Sequence, residues 1–288
     1  MQGWGHGVMK MTRLTPAFFV LTTLALSTLF LLPFVLLPPT AFGGAFASDV
    51  PPNDAAPPVL VELFTSEGCS SCPPADALLG KLDSSQPISG AHVIVLSEHV
   101  DYWNHDGWKD TYSSSFFTSR QGDYGRRFKL PSVYTPQMVI DGAVQLNGSD
   151  GAAVAHAVEV ARSHFKIPVR ISSVSVANPK TLRVHVEAAA LPADSKARKA
   201  EIFVVVALNH AESHVSAGEN KGRDIQHVAV VESMDKVGTV EKGRGFDREV
   251  GVKVQSAADL ANLRVIAFVQ EADGGEVVGA SQAGAAPH

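Results

Sequence analysis

Apolar and polar positions divide the chain into stretches of different period. Residues 16–37 are apolar and carry no charge, and residues 48–57 are polar and rich in proline. From Val59 onward, short apolar runs alternate with turn-forming residues. Val59-Leu60-Val61-Glu62-Leu63-Phe64 reads as a strand, Ala75 to Leu82 as a helix, and Val93-Ile94-Val95-Leu96 as a buried strand. That β–α–β order predicts a crossover helix and a parallel strand pair. Tyr134 to Ile140 and Ala143 to Leu146 flank Asp141-Gly142, the dipeptide of a tight hairpin turn. Ser149-Asp150 then starts a helix that runs from Gly151 to about Phe165, with Val154, Ala157, Val158 and Ala161 at helical spacing.

Beyond residue 166 the period changes to two. Val169 to Val176 and Leu182 to Glu187 alternate between apolar and polar positions. Ile202–Leu208, Ile225–Val231, Arg248–Val254, Leu263–Gln270 and Glu276–Val278 follow as short runs, the last two joined by Asp273-Gly274-Gly275. Many short strands with turns between them predict an antiparallel β-sandwich over residues 166–280. The stretch Asn209–Asp224 between two of these runs, with His210, His214, Glu219, Asn220 and Arg223 and with His227 just beyond, reads as a solvated loop, the alternative being a loop that faces the dithiol or binds a ligand.

Composition sharpens the picture at the N-terminus. The 288 residues are 45% hydrophobic and 18% charged, as in globular proteins. The first 47 residues carry Lys10 and Arg13, no acidic residue, and a small-residue exit at Gly44-Ala45-Phe46-Ala47. A basic start, an apolar middle and such an exit predict a signal peptide over residues 1–47. An uncleaved membrane anchor is the alternative, because about 20 apolar residues span a bilayer. Residues 48–57 are then a linker, and residues 281–288 a tail. The formal net charge is −5, and losing Lys10 and Arg13 with the signal segment makes it −7. An acidic chain argues against nucleic acid as a partner. The expected location is periplasmic or secreted, the expected partners are thiols or disulfides of exported proteins, and no cofactor is expected.

The chain has two cysteines, Cys69 and Cys72, placed between the first strand and the first helix. A C-x-x-C pair at such a turn predicts a dithiol redox centre. Two cysteines fall short of a four-ligand zinc site, and they are too few to scaffold a chain this long. His99 and His105 could complete a metal set, but their spacing is not a tight ligand pattern, and no metal is expected. Two readings of the pair stay open: an exchanging dithiol, or a structural disulfide in a non-catalytic binding or metal-delivery module. Between the second strand and Thr135-Pro136, eight aromatic residues from Tyr102 to Phe128 suggest a helical insertion packed over the core.

Cys69-Ser70-Ser71-Cys72 after a strand, Thr135-Pro136 before a hairpin strand, and the closing helix resemble the thioredoxin superfamily. The resemblance implies an α/β thioredoxin-like domain over residues 58–165, ahead of the smaller antiparallel β-sandwich domain. It implies a cis Pro136 facing the dithiol, with Thr135 and Pro136 as substrate-binding residues. It further implies Cys69 as the exposed attacking thiol, Cys72 as the buried resolving thiol, and Glu62 as a buried proton-relaying acid. The motif from Leu63 through Cys69-Ser-Ser-Cys-Pro-Pro-Ala-Asp76, with His99-Val-Asp-Tyr-Trp103, is similar to a bacterial exported family known as domain of unknown function 1223. The chain departs from thioredoxin proper in having Gly68 in place of a tryptophan and Pro73-Pro74 after the pair. Those prolines remove two N–H donors from the helix start, which weakens thiolate stabilisation there.

Overall fold

A computed structural model describes residues 57–105, 107–255 and 259–285. The expected signal segment 1–47 and nearly all of the linker 48–57 lie outside the described residues, as do the last three residues of the expected tail.

Burial on both faces dictates the character of β1 (Pro58–Thr65). Val59, Val61 and Leu63 pack on one face with α1 (Pro73–Ser85) and with Val93 and Val95 of β2 (His92–His99). Leu60 packs on the other face with Ile94 and Leu96, and Phe64 joins Tyr124 and Val139 there. A period of two along both strands therefore assigns odd positions to the α1 side and even positions to the opposite side. β1 and β2 are parallel, with Thr65 level with His99, so the segments leaving both strands emerge at one sheet edge. The second segment leads to α2 (Ser115–Arg127), capped by the Ser114 hydroxyl, which accepts from the Phe116 N–H at 3.2 Å. β3 (Gln137–Ile140) and β4 (Val144–Asn147) form the hairpin around Asp141-Gly142, and α3 (Gly151–Ala161) follows, its Asp150 cap accepting from Ala153 N–H.

The rest of the described chain is β. It forms β5 (Val169–Asn178), β6 (Thr181–Ala188), β7 (Lys199–His214), β8 (Asp224–Glu241), β9 (Phe246–Lys253), β10 (Leu263–Glu271) and β11 (Val277–Gly284). β5, β6 and β9 make a three-stranded antiparallel sheet. The other four extend the first sheet, whose order is β11-β10-β7-β8-β2-β1-β3-β4. The junction is a parallel bridge between Ser97 of β2 and Val230 of β8. The small sheet packs Leu182, Val184, Val186 and Val252 against Ile202, Val204, Val206, Val265 and Ala267 of the large one. On the far face of the large sheet, Val205, Ala207, Ile266 and Phe268 share a core with Leu60, Ile94, Leu96 and Phe117. Arg264 of β10 also donates both terminal guanidinium nitrogens to Asp83 of α1, at 2.6 and 2.9 Å.

β7 and β8 outrun their apolar cores and pair from Lys199–Glu241 to His214–Asp224, with register shifts between Ile202 and Phe203 and between Val206 and Ala207. Part of the expected loop 209–224 is thus strand. Apart from Ala211 its residues carry polar side chains, so no alternation marks them, and the backbone ladder holds them instead. What remains is a short loop, residues 215–223, at the tip of that hairpin.

Candidate functional site

The segment leaving β1 carries the two cysteines. Cys69 N–H donates to the Ser66 carbonyl at 3.1 Å, and Cys72 N–H to the Cys69 carbonyl at 3.2 Å. Cys72 is the N-cap of α1 and Pro73 and Pro74 follow it, so the missing N–H groups fall where a helix leaves them unpaired. Ala75 and Asp76 N–H both donate to the Cys72 carbonyl, at 2.8 and 3.1 Å. Cys69 and Cys72 are joined in a disulfide, with Cα atoms 5.4 Å apart. Both are fully buried. This corrects the expectation of an exposed Cys69: it is Ser70 and Ser71, between the cysteines, that face solvent.

Two other segments cover the pair. On one flank lies Trp103. A methyl group at Gly68 would sit 3.0 Å from the Trp103 carbonyl oxygen and 3.1 Å from its Cβ, which explains the glycine before Cys69. Trp103 Nε1 donates to Thr135 Oγ1 at 2.7 Å. The Thr135–Pro136 bond is cis. A methyl group at Gly148 would lie 3.2 Å from Ala75 Cβ and 3.4 Å from Pro136 Cβ, so Pro136 closes on the first turn of α1. The structure therefore gathers Cys69, Cys72, Thr135 and Pro136 around one end of α1.

On the other flank lies the loop 215–223. Asn220, fully buried, donates through Nδ2 to the Glu67 carbonyl at 2.8 Å and the Cys69 carbonyl at 2.9 Å. Ser70 N–H donates to Glu219 Oε2 at 3.0 Å, and the Ser70 hydroxyl first and this N–H second hold the exposed Glu219 carboxyl below its ordinary range.

Behind the disulfide is a buried set of titratable side chains. Thr65 Oγ1 donates to Asp76 Oδ1 at 3.0 Å. His227 of β8 stands between two carboxylates, Nε2 at 3.5 Å from Glu67 and Nδ1 at 3.7 Å from Asp76. These separations are ion pairs, not hydrogen bonds, and both ring nitrogens lack a hydrogen-bond partner. Burial disfavours the imidazolium, but Asp76 and Glu67 outweigh it and raise the His227 pKa to about 9. Glu67 Oε2 accepts from Trp108 Nε1 at 2.8 Å. The His99 ring packs edge-on against His227 at 4.6 Å, and its Nδ1 lies 2.7 Å from Asp110 Oδ2. Burial works against an ionised Asp110, yet His99 and the N–H groups of Glu67 and Tyr112 lower its pKa. Among the described residues, no His, Cys, Asp and Glu side chains group so as to hold a metal ion.

Glu62 lies elsewhere. Its even position puts it on the face away from α1, where Arg120 Nε donates to it at 2.8 Å and the Tyr124 hydroxyl at 2.5 Å. Glu98, also even, sits 3.5 Å from Arg120 Nε, and burial followed by repulsion from Glu62 raises its pKa well above the carboxylate range. The described contacts tie Glu62 to this network and not to the dithiol. Parity along β1 already signals it. Asp76 carries a readable signal too, because Cys72-x-x-x-Asp76 is one helical turn. His227, Glu219 and Asn220 answer to the alternative reading of the stretch 209–224 as a loop facing the dithiol, and it is the return of β7 and β8 that brings them there.

The family model described as "Protein of unknown function (DUF1223)" matches residues 60–270. A structural-genomics target protein of Agrobacterium tumefaciens is similar to 80% of this chain over 95% of its own, at 28% identity and a TM-score of 0.59. HBP35 of Porphyromonas gingivalis is similar over 80% of this chain and 75% of its own, at 14% identity and a TM-score of 0.58, a likeness of fold. A search of curated proteins finds no match.

Proposed function

We propose that this chain, which belongs to the DUF1223 family of proteins of unknown function, carries out thiol–disulfide exchange on exported proteins through Cys69 and Cys72. Its first segment is read as a thioredoxin-like domain, and its N-terminus as an export signal. One observation carries the proposal: the two residues that flank the disulfide turn along the chain, Glu67 and Asp76, are buried and meet at the buried His227. A turn staple needs no titratable groups behind it, and buried charges concentrate where chemistry is done.

In the reducing direction, Cys69 loses its proton and attacks a partner disulfide. A Cys69–partner bond forms, and the partner's other sulfur leaves as a thiolate. Cys72 passes its proton to the Asp76 carboxylate, one helical turn away, and attacks Cys69 Sγ. The Cys69–Cys72 bond forms and the second partner sulfur leaves. Two electrons have moved to the partner, which takes up the two protons the cysteines gave up. Oxidation of a partner dithiol is the same sequence reversed. His227, charged at neutral pH, stands between Asp76 and Glu67.

The burial of both sulfurs favours a second reading, a static disulfide. Titration of the folded protein in glutathione buffers of known potential separates the two. An exchanging pair is expected to have a midpoint above about −300 mV, and a lower midpoint supports the static bond.

A further inference from the structure

A sulfur that exchanges must be approached by another sulfur, yet Cys69 and Cys72 are both fully buried. Loop 215–223 lies against the turn on the Cys69 side, bonded to the Cys69 carbonyl and the Ser70 N–H. The loop carries four backbone hydrogen bonds of its own. Val215 N–H donates to Arg223 O at 2.9 Å and Gly222 N–H to Val215 O at 2.7 Å, closing the neck. Lys221 N–H donates to Gly218 O at 3.2 Å and Arg223 N–H to Asn220 O at 3.1 Å, closing the tip. Gly218 and Gly222 supply the positive φ angles, 73° and 81°, that this tight path needs. A loop closed on itself can swing about its neck without losing internal hydrogen bonds. Its polar ties to the C-x-x-C turn include three to backbone groups: Asn220 Nδ2 to the Glu67 and Cys69 carbonyls, and Ser70 N–H to Glu219 Oε2.

Those backbone groups of Glu67, Cys69 and Ser70 flank the disulfide, where a polypeptide delivering a cysteine to Cys69 must lie. The loop already occupies them. We propose that residues 215–223 are a gate over the Cys69–Cys72 disulfide, latched by Asn220 and Glu219, and that an extended polypeptide partner displaces the gate by taking over the same three backbone groups. The partner's chemistry follows from the latch. It offers an acceptor, best a carboxylate, to Ser70 N–H, and donors to the two carbonyls. Glu219 and Asn220 are positioning residues, since they control access and take no part in the bond exchange. The gate deepens the exchange reading and takes its purpose from it, but its mechanics can be tested without it.

The test is the rate at which dithiothreitol reduces the disulfide in the full chain, followed by alkylation and mass measurement at fixed pH. Asn220→Ala removes two latch bonds and is expected to speed reduction about tenfold, equivalent to about 1.4 kcal/mol. Glu219→Ala, at an exposed position that does not threaten folding, is expected to speed it about threefold. Each gain should appear at an unchanged denaturant midpoint. Rates within twofold of wild type in both variants overturn the gate, as do gains that merely follow lost stability. If the variants reduce faster but the wild type exchanges with no protein disulfide, the gate stands and the exchange reading falls. If the wild type exchanges at rates indifferent to the latch, the gate alone falls.

Discussion

Two glutamates of one short segment meet opposite fates. Glu62, on β1, accepts hydrogen bonds from Arg120 and Tyr124 on the α2 face. Glu67, just past the strand, faces His227 with one oxygen and Trp108 with the other. The difference is side-chain parity followed by release of the chain from the strand. The consequence at residue scale is a pH-dependent stability centred on His227. Its ring faces Glu67, Asp76, His99 and Tyr112. The folded pKa, about 9, lies above the ordinary value of 6.5, so this contribution is fully present below about pH 6.5 and is lost as pH rises through about 9. Denaturant unfolding from pH 6 to 9.5 should show stability falling by up to about 3 kcal/mol. His227→Gln should be less stable at pH 6 and should flatten that fall. An equal pH slope in the two proteins rules out His227 as its origin.

At the scale of elements, the β3–β4 hairpin shows how a local signal becomes a tertiary joint. Asp141-Gly142 is readable as a turn, but the structure also buries it. Leu60 N–H donates to Asp141 Oδ1 at 2.9 Å, Val277 N–H to the Asp141 carbonyl at 2.7 Å, and Lys166 pairs with its other carboxylate oxygen at 2.8 Å. Gly142 has φ 62°, and a methyl group there would sit 2.3 Å from the Gly275 carbonyl oxygen. Gly142→Ala therefore meets both a left-handed backbone and a fixed main-chain neighbour, and is expected to cost about 2 kcal/mol or more. Gly222→Ala has the same sign of φ but open space around it. It should cost only about 1 kcal/mol. Midpoints measured side by side check the pair, and equal losses would mean that the contact at Gly275 relaxes freely.

At the scale of the whole molecule, the large sheet crosses the point where the sequence changes period. Leu60, Ile94 and Leu96 share one core with Val205, Ala207, Ile266 and Phe268. Unfolding should accordingly be a single transition, coincident by fluorescence of Trp103 and Trp108 and by far-ultraviolet circular dichroism. A chain ending at residue 165 should lack a cooperative transition, since it bares the β2 edge and half of that core. Two separated transitions would show that the segments fold independently. The sequence alone determined the β1–α1–β2 unit, the Asp141-Gly142 hairpin, the β-rich second segment and the Cys69–Cys72 turn, because periodicity, turn chemistry and spacing are local. It also carried, in parity, the placement of Glu62 away from α1. Only the tertiary structure decided that β8 lies beside β2, that His227 stands between Glu67 and Asp76, and that Asn220 and Glu219 cover the disulfide. Those contacts join residues about 150 positions apart. They depend on sheet order and on hydrogen bonds to backbone carbonyls and amides, which leave no mark in the pattern of side chains.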